Sequence, residues 1–256
     1  MTVGRSCSNS GGFHQFYGGQ VDEIEIFDRL LSASEVQAIY AAGAAGKCKL
    51  DELTLTATAD SFLRRDRKNF NEGANPRLRF RKTGHNRIVV GFDAVAIADF
   101  TNSHGITKAT LTLTIAENRD NWRYGGHPVQ ARPLNVDFTE GNGQSGRVPS
   151  ARKPRGNGPG VTWNCATDAD IANRKADCAP RWNGGTFGPM TADPVLHTNG
   201  LTGPVSWDVT ADVMAGATSW LIKKSRNGKR GQVHYYSKEG ADKEGDIGLA
   251  PTLRLE

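Results

Sequence analysis

The loop over 117–126 places aromatic rings among arginines, a combination that suits an acidic sugar. Trp122 and Tyr124 offer flat apolar surfaces on which a sugar ring can stack. Arg119 and Arg123 beside them carry planar groups that can donate two parallel hydrogen bonds to a carboxylate. We therefore predict that these four side chains contact an acidic polysaccharide.

Three more arginines alternate with apolar residues along one segment: Arg77, Arg79 and Arg81. Because successive side chains of a strand point to opposite faces, the arginines should share one face, with Leu78 and Phe80 facing the core. The guanidinium groups would then repeat at roughly 6.6 Å, a spacing near that of sugar units. This ladder is a second candidate ligand surface, and its structural alternative is a solvated basic face.

The segment over 232–238 supports an enzymatic alternative. As a strand, it places His234, Tyr236 and Lys238 on one face. On a concave sheet, a Tyr hydroxyl could act as base and then acid in β-elimination on a uronate, while His or Arg neutralises the carboxylate. The sequence contains no Gly-x-Ser-x-Gly, His-Glu-x-x-His or phosphate-binding glycine loop. A polysaccharide lyase or hydrolase is thus the second hypothesis, after a module that binds without catalysis.

Hard oxygen ligands occur together in one further loop, at Asp66, Asn69, Asn71 and Glu72. Carboxylate and amide oxygens are the ligands that Ca²⁺ prefers, although this spacing is not that of an EF-hand. These residues are the candidates for one structural calcium ion. Nothing else in the sequence requires a cofactor.

Two of the four cysteines, Cys165 and Cys178, enclose a loop of twelve residues. The sequence has no Cys-x-x-Cys pair and no Cys/His spacing typical of zinc sites, so we predict a disulfide and an extracellular or cell-surface location. Cys7 and Cys48 are the candidates for a second disulfide.

The chain has 256 residues and a net charge of +5, and its basic residues are clustered over 64–82 and 223–230. Such patches attract polyanions. A nucleic-acid partner would rest on this charge alone, so it is the less favoured one. No apolar run approaches the ~18 residues that a membrane helix needs, which excludes membrane insertion. No signal peptide is predicted in the first residues.

One segment carries the signals of a helix. Ser32 is a candidate N-cap, Glu35 completes a capping box and Gly43 is a candidate C-cap, so a helix is predicted over 32–42. An alternating pattern predicts a strand before it, over 20–27. No other segment is predicted to be helical, and a second long helix would argue against the fold class below.

From Leu53 onward the sequence consists of short alternating segments separated by turns rich in Gly, Pro and Asn. The predicted strands cover 53–59, 77–81, 87–93, 109–115, 205–209, 233–237 and 252–255. Many short strands with such turns indicate a sandwich or barrel. The predicted fold class is therefore all-β, with one short N-terminal helix.

The first fifty residues contain four motifs in a fixed order: Val3–Ser6, Phe16–Ile24, Asp28–Arg29 and Leu31–Val36 with Tyr40. Through these motifs, residues 3–48 resemble the end of a laminin-G-like, concanavalin A-type lectin domain. In that family the pattern corresponds to closing strands followed by a short helix. A complete lectin domain is much longer, so Met1 is expected to be an internal start within a larger exported protein whose other domains are partners. This remnant is assigned no sugar-binding role.

The rest of the chain contains a longer series of motifs: Ala59–Phe62, Asn71–Gly73, Pro76–Arg79, Arg87–Asp93, Ala109–Leu113, Phe138–Gly143, Gly160–Asn164, Trp207–Thr210, Tyr236–Glu239 and Pro251–Leu253. Through these motifs, which occur in the same order along the chain, residues 57–256 resemble the DNRLRE domain. The resemblance implies an extracellular jelly-roll-like antiparallel β-sandwich attached to larger surface proteins or polysaccharide-degrading enzymes. Some members bind carbohydrate, with acidic polysaccharides such as alginate among the ligands.

Five residues of these motifs are expected to be structural: Arg87, Asp93, Trp163, Asp208 and Glu239. Trp fills cores and charges pair at sheet edges, so a buried Glu239–Arg87 pair is predicted. Taken together, residues 1–50 are predicted to be a lectin-domain remnant. Residues 51–256 are predicted to form a DNRLRE-type β-sandwich that binds an alginate- or pectin-like acidic polysaccharide without catalysis.

Overall fold

The computed structural model describes residues 5–7, 13–16, 29–42, 52–81, 85–122, 124–144, 156–225 and 230–256. The chain divides into two compact units, Met1–Lys49 and Leu50–Glu256. No helix in these described ranges is both long and apolar enough to cross a membrane.

The smaller unit contains strands β1 (Arg5–Cys7) and β2 (Phe13–Phe16), which pair antiparallel, and helix α1 (Ala33–Ala42). The Ser32 carbonyl accepts a hydrogen bond from the Val36 amide at 3.1 Å, as expected at a helix start. The predicted helix over 32–42 is confirmed.

Three predictions for this unit lie outside the described residues. They are the strand over 20–27, the capping contact of the Glu35 side chain and the second disulfide between Cys7 and Cys48, because the Cys7 side chain and Cys48 are not described. These three stay predictions.

The larger unit is an all-β antiparallel sandwich of two sheets, in agreement with the predicted jelly-roll-like class. Its strands are β3 (Leu53–Thr56), β4 (Ala59–Arg64), β5 (Arg77–Phe80), β6 (Asn86–Gly91), β7 (Ala109–Asn118), β8 (His127–Pro133), β9 (Val195–His197), β10 (Gly203–Asp208), β11 (Ser219–Lys224), β12 (Val233–Tyr236) and β13 (Thr252–Leu255). Its helices are α2 (Ala94–His104), α3 (Thr210–Met214) and α4 (Lys238–Glu244).

The first sheet is organised around β7, the longest strand of the unit. β13 pairs with residues 109–112 of β7 and β12 with residues 115–118, so these two strands share one edge, while β10 lies along the other. β3 and β5 continue the sheet beyond β13 and β12. The second sheet has the order β4-β6-β11-β8-β9.

The main core lies between the sheets and follows the two-residue period of the strands. In β7, Ala109, Leu111 and Leu113 are fully buried and the threonines between them are half-buried. Trp207 and Trp220 are among the largest fully buried side chains. Burial of apolar surface stabilises at about 25 cal/mol per Å², so such rings carry a large share of the folding energy.

The second sheet is buried on its outer face as well. Val89, Leu134 and Leu221 project outward from β6, from the end of β8 and from β11, and pack against Trp163 and Trp182. We call residues 156–190, which contain both tryptophans, the covering segment. A sheet with both faces covered has continuous apolar strands and no alternation.

This double burial explains why the sequence does not predict β11. Residues Trp220–Ile222 of β11 are apolar in succession and all buried, so the strand shows no two-residue period. The prediction of one strand over 53–59 is wrong for another reason: this segment is divided between β3 and β4. The chain crosses from the first sheet to the second at Ala57 and Thr58, whose amides donate to the carbonyls of Pro251 and Gly91, respectively.

Helix α2 has 11 residues, so the prediction of a single helix is wrong. The expectation that a second long helix would count decisively against the fold class is wrong as well. Helix α2 connects β6 of the second sheet to β7 of the first, and each strand keeps its partners within its own sheet. Asp93 is its N-cap, accepting the amides of Val95 and Ala96 at 2.9 and 3.1 Å. Asp208 accepts the Thr210 amide and hydroxyl at the start of α3. Both aspartates therefore fix helix starts, whereas the sequence predicts charge pairs at sheet edges for them.

The predicted Glu239–Arg87 pair is wrong. Glu239 lies on α4 and contacts the Lys238 ammonium at 2.5 Å. Arg87 lies on β6 and donates to the Gly184 carbonyl at 2.6 Å. The two residues therefore have separate partners.

The disulfide Cys165–Cys178 is present, as predicted, and closes a loop within the covering segment. Replacing both cysteines with serine is expected to lower the free energy of unfolding by about 2–4 kcal/mol, because a short cross-linked loop restricts the unfolded chain. Urea denaturation of the wild type and the Cys165→Ser/Cys178→Ser variant measures this difference. The wild type in reductant should approach the variant, and equal midpoints without reductant would contradict the prediction.

Candidate anion-binding site

A cleft of about 280 Å³ opens between the turn after β4, the start of β6 and the covering segment. Its lining side chains are three cations, one histidine, one amide and one aromatic ring: Arg65, Lys68, Arg87, His85, Asn183 and Trp163. Among the described residues, no carboxylate lines this cleft. It is therefore suited to an anion.

Arg87 is held in the cleft by groups on its apolar and polar sides. Its guanidinium lies over the rings of Trp163 and Phe187, with 5.0 and 5.3 Å from its central carbon to the ring centroids. One nitrogen donates to the Gly184 carbonyl at 2.6 Å. Burial and the charge of Arg65 lower the pKa of Arg87, so a bound anion would relieve an unfavourable environment.

Gly184 permits this arrangement. Its φ is 93°, and a Cβ at this position would lie 2.7 Å from the ring of Trp163. Only glycine adopts that backbone conformation without strain while leaving room for the ring. The covering segment can therefore bring its carbonyl to Arg87 and its tryptophan to the cleft at the same time.

The cleft cations differ from the other arginines near them in having no acidic partner. Among the described residues, no salt bridge involves Arg65, Lys68 or Arg87. By contrast, Asp66 contacts both Arg64 and Arg81 at 3.0 Å. The pKa of Asp66 is lowered by these two cations, despite partial burial.

His85 adds one more unpartnered group to the cleft. Its Nδ1 is buried and has no hydrogen-bond partner among the described residues. A buried ring nitrogen without a partner is unfavourable, and a ligand hydroxyl or carboxyl could satisfy it. Asn183 completes the rim with an exposed amide, on a backbone with φ of 49°.

Trp122, the predicted stacking platform, is instead a core residue, and that prediction is wrong. Only 3% of it is exposed, its indole nitrogen donates to Asn118 at 2.9 Å and its ring packs against His197. A buried ring has no free face for a sugar. Of its three neighbours, Tyr124 is fully exposed, Arg119 contacts Glu117 at 2.7 Å and Arg123 lies outside the described residues.

The arginine ladder has the predicted alternation, because Leu78 and Phe80 are buried and Arg77 and Arg79 are half-buried. It does not provide three free guanidinium groups. Arg77 contacts Glu244 at 3.1 Å and lies 4.3 Å above the Tyr236 ring. Arg81 follows the end of β5 and contacts Asp66. The pKa of Arg79 is lowered by burial.

The structure does not arrange His234, Tyr236 and Lys238 on one strand face, because β12 ends at Tyr236 and Lys238 begins α4. His234 is buried beside Glu117, at 3.2 Å, and burial lowers its pKa to about 4. Lys238 extends to Glu140 at 2.8 Å. The three groups thus have separate partners.

The four predicted calcium ligands have their oxygens occupied by protein donors. Asp66 accepts from two arginines, and Asn69 accepts from Asn164 at 2.5 Å. Asn71 accepts the amides of Gly73 and Gly143, and Glu72 accepts from Arg64 and Asn75. These oxygens thus hold the loop together through side-chain and backbone donors, and a calcium ion at these residues stays a prediction.

A different set of carboxylates does converge: Asp60, Glu140 and Glu239 each offer an oxygen within 4.8 Å of the others. Three segments that carry the DNRLRE resemblance meet here. The Lys238 ammonium contacts Glu140 and Glu239 at 2.8 and 2.5 Å. An ammonium thus already lies among these carboxylates.

Two oxygens of this cluster, Oδ1 of Asp60 and Oε2 of Glu239, are buried and receive no hydrogen bond from any residue that the structure describes. Asp60 is completely buried, and burial together with the charge of Glu239 raises its pKa well above 3.8. A proton on Asp60 would turn its carboxyl into a donor and remove one negative charge from the cluster. The geometry therefore favours a protonated Asp60.

The Asp60→Asn variant is expected to be more stable than the wild type at pH 7, by about 1–3 kcal/mol, because the amide supplies the missing donor. The pKa of Asp60 is higher in the folded protein than in the unfolded one, so the free energy of unfolding of the wild type should decrease as the pH rises above 3.8. The variant has no carboxyl at this position, so its free energy of unfolding should not show this decrease. Urea denaturation between pH 4 and 8 measures both effects.

Asp66→Asn is the matched control, because the pKa of Asp66 is lowered and its contribution has the opposite sign. Loss of the Asp66 carboxylate should lower the free energy of unfolding above pH 3.8. An Asp60→Asn variant that is less stable than the wild type at pH 7, with an unchanged pH dependence, would contradict the protonated state.

Comparison with known proteins leaves the family open: no protein-family model matches the chain, and a search of curated proteins finds no match. The resemblances to the DNRLRE and laminin-G-like domains therefore stay predictions.

Proposed function

We propose that this protein is a non-catalytic module that binds an acidic polysaccharide through the cleft at Arg87. The observation that carries the proposal is the set of three cations beside the ring of Trp163, for which the described part of the chain supplies no acidic partner. Guanidinium groups bind carboxylates by paired hydrogen bonds. Trp163 is only 6% exposed and lies under the Arg87 guanidinium, so its ring orients this cation and does not itself stack on the sugar. A uronate unit supplies the carboxylate that the three cations can bind.

Preorganisation supports this assignment. Arg87 is oriented by two rings and a carbonyl, so little side-chain freedom remains to be lost when an anion binds. The cleft is close in size to the smallest ligand pockets, which begin at about 300 Å³, and fits a unit of a polymer that continues beyond it.

The disulfide supports a polysaccharide in preference to a nucleic acid as the ligand. Disulfides persist in oxidising compartments, so Cys165–Cys178 fits a module of the cell exterior. The DNRLRE resemblance implies the same location and the same ligand class. Attachment to other domains of a larger exported protein belongs to the same proposal.

The Arg65→Gln/Lys68→Gln variant is expected to bind polygalacturonate or alginate at least about tenfold more weakly than the wild type, since hydrogen bonds to charged groups contribute about 1.5–3 kcal/mol each. Both side chains are exposed, so the fold should be retained. Isothermal titration calorimetry measures the affinities.

The matched control is Arg81→Gln/Arg119→Gln, which removes the same charge from two exposed arginines that have acidic partners. It should change the affinity by much less. Equal weakening by both double variants would show a generic basic surface, contrary to the proposal. Growth of unsaturated-uronate absorbance during the titration would show catalysis and contradict it as well.

A further inference from the structure

The outer face of the second sheet carries a row of cations across three neighbouring strands. Ile222 of β11 pairs with Ile88 of β6, which places Lys223 beside Arg87. Leu221 pairs with Arg132 of β8. Arg87, Lys223 and Arg132 alternate with outward apolar residues on their strands, so the three project from the same face. We call these three residues the cation row.

The cation row has no acidic partner within the described part of the chain. Arg132 donates to the Gly188 carbonyl at 3.3 Å, and both Arg132 and Lys223 reach the side-chain oxygen of Gln130, at 3.4 and 3.5 Å. One neutral oxygen therefore serves two positive groups. All three row members are half-buried, so solvent screens their repulsion incompletely.

Burial and this repulsion act in the same direction on the pKa of the central residue. Burial, together with the charges of Arg87 and Arg132, lowers the pKa of Lys223. Phe187 lies between the outer two members, with ring centroids 5.3 Å from Arg87 and 5.7 Å from Arg132. This ring joins the cleft to the rest of the row, because Arg87 belongs to both.

We infer that the cleft is one end of a longer binding track, which follows the cation row across β6, β11 and β8 and takes a polymer with a carboxylate on successive sugars. This inference rests on the proposed function. Neighbouring strands lie about 4.8 Å apart, so cations on consecutive strands match charges repeated along a polyuronate. The ligand is therefore a polyuronate chain, and a single uronate occupies only the cleft.

The test measures affinity for galacturonate oligomers of one, two, four and six units by calorimetry. Wild-type affinity should rise with length up to four or six units. In Lys223→Gln, affinity for the hexamer should fall about tenfold, the loss expected for one hydrogen bond to a charged group, while affinity for the monomer stays unchanged. Lys223→Arg should restore the length dependence, and thermal denaturation verifies that each variant is folded.

Lys243→Gln is the matched control, because it removes an exposed lysine from α4, outside the row. It should leave both affinities unchanged. If Lys223→Gln binds the hexamer with wild-type affinity, or loses as much affinity for the monomer as for the hexamer, the track is wrong. The cleft would then still be the binding site. Absence of wild-type binding at every length would instead overturn the proposed function.

Single-stranded DNA of matched charge provides the remaining comparison. It should bind more weakly than the hexamer and without dependence on Lys223. If it binds as tightly as the hexamer and loses affinity in Lys223→Gln, the row recognises nucleic acid, and the polyuronate assignment is wrong.

Discussion

The outer face of the second sheet must be covered by protein, and the candidate site follows from how it is covered. Val89 and Leu221 project from this face and would expose apolar surface without the covering segment. The segment that buries them also brings Trp163 and Phe187 against Arg87. The contact that seals the sheet therefore orients the cation, and the fold and the proposed binding site depend on the same packing.

Charge pairing separates the basic residues into two groups with different uses. Arg64, Arg77 and Arg81 have carboxylate partners and fix the loops and helix around the first sheet. Arg65 and Lys68 lie in the same stretch of sequence yet face the cleft, and no carboxylate among the described residues pairs with them. A net charge of +5 cannot distinguish these groups, because the distinction arises from residues brought close only by folding.

Local patterns predicted the parts of the structure that depend on neighbouring residues. The helix α1, the alternation in β5 and β7 and the disulfide follow from capping signals, two-residue periods and cysteine spacing. Long-range packing decided the rest. β11 is buried on both faces and shows no period, and Trp122 belongs to a loop but turns into the core. The cleft is formed by residues near 65, 87, 163 and 183. These residues are distant in the sequence, so no local pattern predicts that they lie together.

The most direct test of the account maps the ligand on the protein by nuclear magnetic resonance. Hexagalacturonate is titrated into ¹⁵N-labelled protein, and amide shifts are followed residue by residue. The account predicts shifts that begin around Arg65, Arg87 and Trp163 and continue through Gly184 to Lys223. Shifts confined to the loop over 117–126 or to the arginines of β5, with the cleft unchanged, would contradict it.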